Sequence, residues 1–257
     1  MKDNFYFCDF HCHTSTSHDS PAKIKNITAV AKRRGVDAIA VTDHNKTYKG
    51  PLVVNGVDII PGSEITTKEG EHLLAYFIEE DVQKGLPFEE AVSRVHDLGG
   101  FVVWAHPLRK RGLIKEEDKK NFAIIDGVET GNAMDSEKER RKTKEICSEF
   151  SVVETGGSDS HIEGQIGTGV ARTREKITKE NFLKVLSEGE VVVRDEISSF
   201  RKSNRKLRGP MIFINKLLDR KKISLGKKIF NGLVIKNYLR IVNINLKRIK
   251  FNYRDEY

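Results

Sequence analysis

Short apolar runs alternate with stretches of helical period over the first two hundred residues, and each run hands over to polar residues of one chemical kind. The stretch 5–20, FYFCDFHCHTSTSHDS, opens as an apolar strand and carries His11 and His13 at its C-terminal end. Ser20 and Pro21 suit an N-cap and a first helical position, and Ile24, Ile27, Val30 and Ala31 recur at helical spacing up to Gly35, which predicts a helix after that strand. A second strand, 36–41, ends in Thr42, Asp43, His44 and Asn45. Ile59 and Ile60 lead through Pro61, Gly62 and Ser63 to Glu64, and a further strand over 73–78 has His72 at its start. Residues 87–98 carry an amphipathic pattern closed by Gly99 and Gly100, and the strand 101–105 is followed by His106 and Pro107. Residues 124–128 precede Glu129, Thr130, Gly131 and Asn132, and a charged helix over 136–150 leads through Val152 and Val153 to Gly157, Ser158, Asp159, Ser160 and His161.

Strands alternating with helices predict an α/β fold with a parallel sheet. Metal-type residues after one strand end after another point to a barrel with its site on the C-terminal face. An open doubly wound sheet would instead gather them at one switch point.

Length and charge change the picture in one respect. The chain has 257 residues, enough for one large domain or for a domain with an appendage. Its net charge of +8 is unevenly spread: from Arg201 onward there are 17 Lys+Arg against 3 Asp+Glu, a local +14, while the first 200 residues hold 28 against 34. This divides the chain at 1–200 and 201–257. The second part, with basic runs at 220–222 and 247–250 interleaved with Ile, Leu and Phe, suits a nucleic acid or an anionic membrane surface, or equally a basic helix or hairpin packed on the main domain. No run is long and apolar enough to span a bilayer, and the N-terminus lacks a secretory pattern, so a cytoplasmic location is expected. Cys8, Cys12 and Cys147 contain no CxxC and read as reduced thiols.

The chemistry starts from His11 and His13. Residues i and i+2 of a strand share a face, so both imidazoles can meet one cation while Phe10 and Cys12 turn away. A zinc site that also used Cys8 and Cys12 is disfavoured, because alternation sets Cys12 opposite the two histidines. Imidazole with carboxylate suits Zn, Mn or Fe. A lone HxH pair is weak evidence; the ordered set DFHCH, TDHN, GSEIT, EGEH, WAHP, ETGNA and GSDSH is much more specific.

That set, over about residues 3–198, resembles the PHP (polymerase and histidinol phosphatase) superfamily. The resemblance implies a distorted (β/α)7, TIM-barrel-like fold that binds two or three divalent metal ions, commonly Zn, Mn or Fe, and cleaves phosphate esters. Carried over by position, it implies a first metal held by His11, His13 and Asp159, with Glu64 bridging to a second that His72 and His106 complete. Asp19, His44 and His161 would hold a third, His18 being the alternative to Asp19. His11, His13, Glu64, Asp159 and His161 form the implied catalytic group. Asn132 matches a family position near the site, and Glu129 would orient its neighbours.

Hydrolysis of a phosphate ester at neutral pH needs a nucleophile stronger than bulk water, and a metal lowers the pKa of its bound water to about 7. Paired metals can also clamp the attacking and leaving oxygens. Arg109, Lys110 and Arg111 after His106, and Arg172 in IGTGVART, are candidates to neutralise the remaining phosphate charge, Arg172 foremost. His96 follows no strand and reads as an ordinary surface or packing histidine, Trp104 reads as core, and the GxG at 167–169 is weak evidence for a phosphate cradle. Three functions follow in order: a phosphatase or phosphodiesterase on a small phosphorylated metabolite or nucleotide, a nuclease acting on nucleic-acid ends with the basic extension on the backbone, and a non-catalytic scaffold.

Overall fold

A computed structural model describes residues 5–109, 112–194 and 251–256. In chain order its elements are β1 (Tyr6–Cys12), α1 (Ile24–Arg33), β2 (Ala38–Val41), β3 (Val53–Val54), β4 (Val57–Thr66), β5 (His72–Tyr76), α2 (Phe88–Asp97) and β6 (Phe101–Ala105). They continue through β7 (Gly127–Asn132), α3 (Glu137–Cys147), β8 (Val153–Gly157), β9 (Gly169–Thr173), α4 (Phe182–Ser187), β10 (Glu190–Val193) and α5 (Tyr253–Glu256). The strands form one sheet in the order β10-β9-β1-β2-β4-β5-β6-β7-β8, with β3 paired to β4. A bridge between Cys12 and Ser160 brings the end beyond β8 back to β1, so the sheet is nearly closed into a barrel.

The barrel departs from an all-parallel pattern at two places. β5 runs antiparallel to both β4 and β6, reached by a turn whose Gly70 has φ 82, and β9 runs antiparallel to both β1 and β10. β1 pairs with β2 in parallel, with a register shift between Asp9 and Cys12. Such a shift re-aims side chains. Phe10 accordingly packs in the barrel interior while Cys12 lies in the outer layer, so the two do not share the face that simple alternation assigns them.

Beneath the C-terminal ends of the strands the interior is filled. Phe10, Tyr76 and Phe182 pack edge to face, and the Tyr76 hydroxyl donates to the Phe10 carbonyl at 2.9 Å. On the outside, α1 lays Ile27, Val30 and Ala31 against β2 and β4, and α2 packs Ala91, Val92 and Val95 near the buried Trp104. Ser136 and Glu139 close a capping box at the start of α3, the pattern that satisfies two otherwise orphaned N–H groups. Ser20 does not cap α1, which begins after Lys23; its hydroxyl ties the carbonyls of His13 and His161 together at 3.1 and 3.0 Å.

Residues 251–256, at the end of the second part, pack on the barrel. Tyr253 is fully buried, stacks on Phe7 at 4.7 Å, donates from its hydroxyl to the Gly167 carbonyl at 2.8 Å and from its N–H to Arg34 O at 3.0 Å. Arg254 donates to Phe5 O at 2.6 Å and pairs with Asp37. The rest of the basic extension lies outside the described residues. No helix among the described residues is long and apolar enough to cross a membrane.

Candidate metal centre

The C-terminal end of β1 delivers His11 and His13, both fully buried, and their Nε2 atoms lie 3.2 Å apart. Hydrogen-bond partners assign each ring's tautomer. His11 Nδ1 lies 2.9 Å from Glu129 Oε1. His13 Nδ1 lies 3.0 Å from Ser17 Oγ, whose own proton goes to Asp43 at 2.7 Å. His161 Nδ1 is 3.0 Å from the Asp159 carbonyl. With each Nδ1 engaged in this way, the Nε2 atoms turn toward the pocket.

Glu64, near the end of β4, is the hub. Its Oε1 lies 2.6 Å from His72 Nδ1, 3.1 Å from His106 Nε2 and 3.6 Å from His11 Nε2, and its Oε2 lies 2.8 Å from His44 Nδ1 and 3.5 Å from His13 Nε2. His72 stands at the start of a strand, yet reaches the same face because β5 is reversed: Thr66 pairs with His72 and Glu64 with Leu74. Asp159 Oδ1 lies 3.7 and 3.5 Å from His11 and His13. Asp19, buried, lies 3.1 Å from His161 and 3.4 Å from His44, while His18 is exposed at the rim with its ring 5.2 Å from that of His44.

This donor set fits divalent cations. Tight groups form from His11, His13 and Glu64; from Glu64, His72 and His106; from His11, His106 and Asp159; from His13, His44 and His161; and from His18, Asp19 and His44. The buried Glu64 Oε2 makes no hydrogen bond among the described residues, despite its approach to His44. The pocket's electrostatics demand positive charge. Burial opposes ionisation of Glu64, but His72, His44 and His11 outweigh it and hold the carboxyl well below its usual range. Asp19 is likewise depressed, burial being overcome by His161 and His44. Burial disfavours the charged forms of His11 and His44, yet Glu129, Asp159 and Glu64 push His11 up, and Glu64 and Asp19 push His44 up to about 10. His13 is lowered by burial and by His161.

A pH dependence follows for chelator-treated protein. A histidine raised from about 6.5 to about 10 adds stability that is fully present below pH 6.5 and is lost as pH climbs through 10. The depressed carboxyls of Glu64 and Asp19 add stability present above about pH 4.5 and lost in acid. Thermal melts of the chelated protein should therefore peak between about pH 4.5 and 6.5, and His44→Ala should flatten the alkaline limb.

Arg109 enters the site beside Asp159. Its Nε donates to Asp135 at 2.8 Å and its Nη1 to Asp159 Oδ2 at 2.5 Å, while its buried Nη2 has no hydrogen-bond partner among the described residues. Burial works against its charge, but Asp135 and Asp159 hold its pKa above the ordinary value. Two other candidates stand elsewhere. Arg172 faces Phe7 in register near the start of β1, away from the histidines, where it pairs with Glu190 and lies 4.4 Å from the centroid of the Phe5 ring. The reversal of β9 carries it there, so it is not a phosphate contact at this centre. Asn132 is fully buried, donates to Glu129 Oε2 at 2.9 Å and accepts from Met134 N–H at 2.7 Å, a supporting place rather than a substrate-facing one. Lys110 and Arg111 lie outside the described residues. His96 pairs with Asp126 at 2.8 Å on the surface.

Several supports escaped the sequence reading. Asp9 accepts N–H bonds from His11, Ser158 and Gly167 and so ties β1 to the loop of Asp159. Asp43 takes four bonds from Thr14 and Ser17. Gln165 Oε1 accepts from His161 N–H at 2.8 Å. Asp9 and Asp43 sit inside the DFHCH and TDHN motifs, which was the available signal. His106 and Asp159 hold left-handed backbone, with φ 32 and 48, a strain of order ~1–3 kcal/mol each that clusters at functional sites.

Comparison with known proteins agrees with this geometry. An uncharacterized protein of Methanocaldococcus jannaschii, MJ1587, is 35% identical over 142 residues, covering 49% of this chain and 81% of its own. PsfC from Pseudomonas syringae PB-5123 has a similar structure, with TM-score 0.64 and 17% identity over 79% of this chain and 98% of its own. PfuEndoQ, a lesion-specific endonuclease from Pyrococcus furiosus, gives 0.57 and 18% over 73% of this chain, which spans 58% of that protein. Those two likenesses establish the fold. The PHP domain model matches residues 9–188, a span that contains every donor from His11 to His161, and the chain therefore belongs to the PHP domain family.

Proposed function

We propose that the protein cleaves the phosphate ester of a small phosphorylated metabolite or nucleotide at a centre of two or three divalent cations, Zn, Mn or Fe. The observation that carries this reading is the convergence of five histidines on the single buried carboxylate of Glu64, with Asp159 and Asp19 on either side. His11, His13 and Asp159 would hold one cation, Glu64 would be shared with a second at His72 and His106, and Asp19, His44 and His161 would hold a third. When bound, the cations supply acidified water and charge neutralisation for the phosphoryl oxygens.

The remaining work falls to the chain. With cations bound, Glu129 and Ser17 would hold the ring protons of His11 and His13 on Nδ1 and leave both Nε2 lone pairs for the cations. Arg109 offers a buried donor, Nη2, beside Asp159, where a phosphoryl oxygen would find a fixed charge-assisted bond. The filled interior of Phe10, Tyr76 and Phe182 closes the floor against water.

A second substrate, the end of a nucleic acid, is favoured by the local +14 of residues 201–257; affinity would then fall steeply with salt. One assay separates these readings. Protein purified without chelator is expected to carry two or three equivalents of metal by elemental analysis, and to release phosphate or p-nitrophenol from model esters in a chelator-sensitive way. Preference for a monoester supports the phosphatase; preference for a diester, with salt-sensitive binding of oligonucleotides, supports the nuclease. Metal-free, inactive protein that cannot be reconstituted would leave a scaffold.

A further inference from the structure

Glu129, near the middle of β7, is 1% exposed and surrounded by donors. Its Oε1 lies 2.9 Å from His11 Nδ1, and its Oε2 accepts the backbone N–H of His106 at 3.1 Å and the Asn132 side chain at 2.9 Å. Resting on the reading of the site given above, we infer that Glu129 is a positioning residue that sets two of the metal groups at once: it fixes the ring of His11 for one and the backbone of His106 for the other.

The two actions are of different kinds. At His11 the carboxylate holds the proton on Nδ1, so that Nε2 presents its lone pair to the pocket, and its charge raises the ring's basicity as a ligand. At His106 it anchors an N–H whose residue has φ 32, a backbone conformation that needs support from its surroundings. A Cβ on Gly157 would come within 2.4 Å of His11 Cβ and 2.9 Å of Glu129 Oε1, so β8 presses directly on this pair.

Shape alone does not explain the residue. Three donors face its two oxygens, and a glutamine of the same outline would offer one oxygen and one NH2. Whichever way that amide is turned, an N–H opposes an N–H, either at His11 or at His106 and Asn132. Only a carboxylate serves both oxygens' partners, which joins its charge to its geometry.

The test is a cobalt(II) titration of chelator-treated, full-length protein, followed by visible absorption, for the wild type and Glu129→Gln. The variant is expected to lose 10–100-fold in affinity for the cations held by the His11 and His106 groups, while binding at the Asp19, His44 and His161 group stays at wild-type strength. Wild-type affinities throughout, or equal losses at all groups with a lowered melting temperature, would overturn the inference in favour of simple packing. A wild type that binds no cobalt would overturn the metal-centre reading itself, a separate result. Should the variant not fold, nitrogen-15 NMR of the zinc-loaded wild type decides: a protected Nδ1–H on His11 supports the inference, and a proton on its Nε2 overturns it.

Discussion

Glu64→Ala is expected to abolish phosphoester hydrolysis, lowering kcat/KM by at least about 10³, or ~4 kcal/mol of transition-state stabilisation. No other carboxylate of the centre approaches so many imidazoles: His11, His44, His72 and His106 lie within 3.6 Å of its oxygens, and His13 within 3.5 Å. Its removal takes a shared donor from two proposed groups together, so metal content should fall with activity rather than after it. Glu64→Gln separates charge from outline; it keeps the volume but loses the negative charge that five rings surround, and should lose nearly as much. Steady-state kinetics on a p-nitrophenyl ester, with metal measured on the same sample, checks both variants. Full turnover with full metal in either one would remove Glu64 from the bridging role.

The second large effect concerns stability. Tyr253→Ala removes a fully buried ring stacked on Phe7 and a hydroxyl bonded to Gly167 O. Aromatic-to-alanine changes in a core cost about 3–5 kcal/mol, which in a domain of this size lowers the melting temperature by roughly 10 °C. Turnover per folded molecule should remain, because Phe7, Arg34 and Gly167, which Tyr253 contacts, are not donors of the metal centre. Truncation after residue 200 should show the same destabilisation, contrary to what the charge pattern alone suggests. Deleting only part of the intervening basic stretch, with residues 251–256 retained, is the cleaner way to ask whether that stretch binds polyanions. A melting temperature unchanged by Tyr253→Ala would show that the packing of this short helix contributes nothing.

Much of the centre could be read from the chain because its donors directly follow apolar runs. His11, His44, Glu64, His106 and Asp159 all lie at the ends of strands that ordinary hydrophobic patterning marks. Strand direction was less legible. Nothing local in the residues 72–76 or 169–173 states that they run backwards, since antiparallel pairing is decided by which neighbour the strand meets; hence His72 belongs to the site from the start of its strand, and Arg172 leaves it. Hydrophobicity marks a strand at 124–128, whereas β7 runs over Gly127–Asn132, so that the polar Glu129 and Asn132 are strand residues whose burial only the packed neighbours reveal. Tyr253 lay hidden among basic residues, where composition outweighed a single aromatic ring.

The left-handed backbone at His106 and Asp159 bears on how such a sequence can drift. Among residues other than glycine, asparagine, aspartate and histidine tolerate that conformation best, and β-branched side chains tolerate it least. Each position is therefore under two selections, one for a donor atom and one for a backbone shape. A lineage that abandoned hydrolysis would be released from the first only, and would be expected to exchange Asp159 for asparagine or glycine before valine or isoleucine, keeping the loop's course after its chemistry had gone.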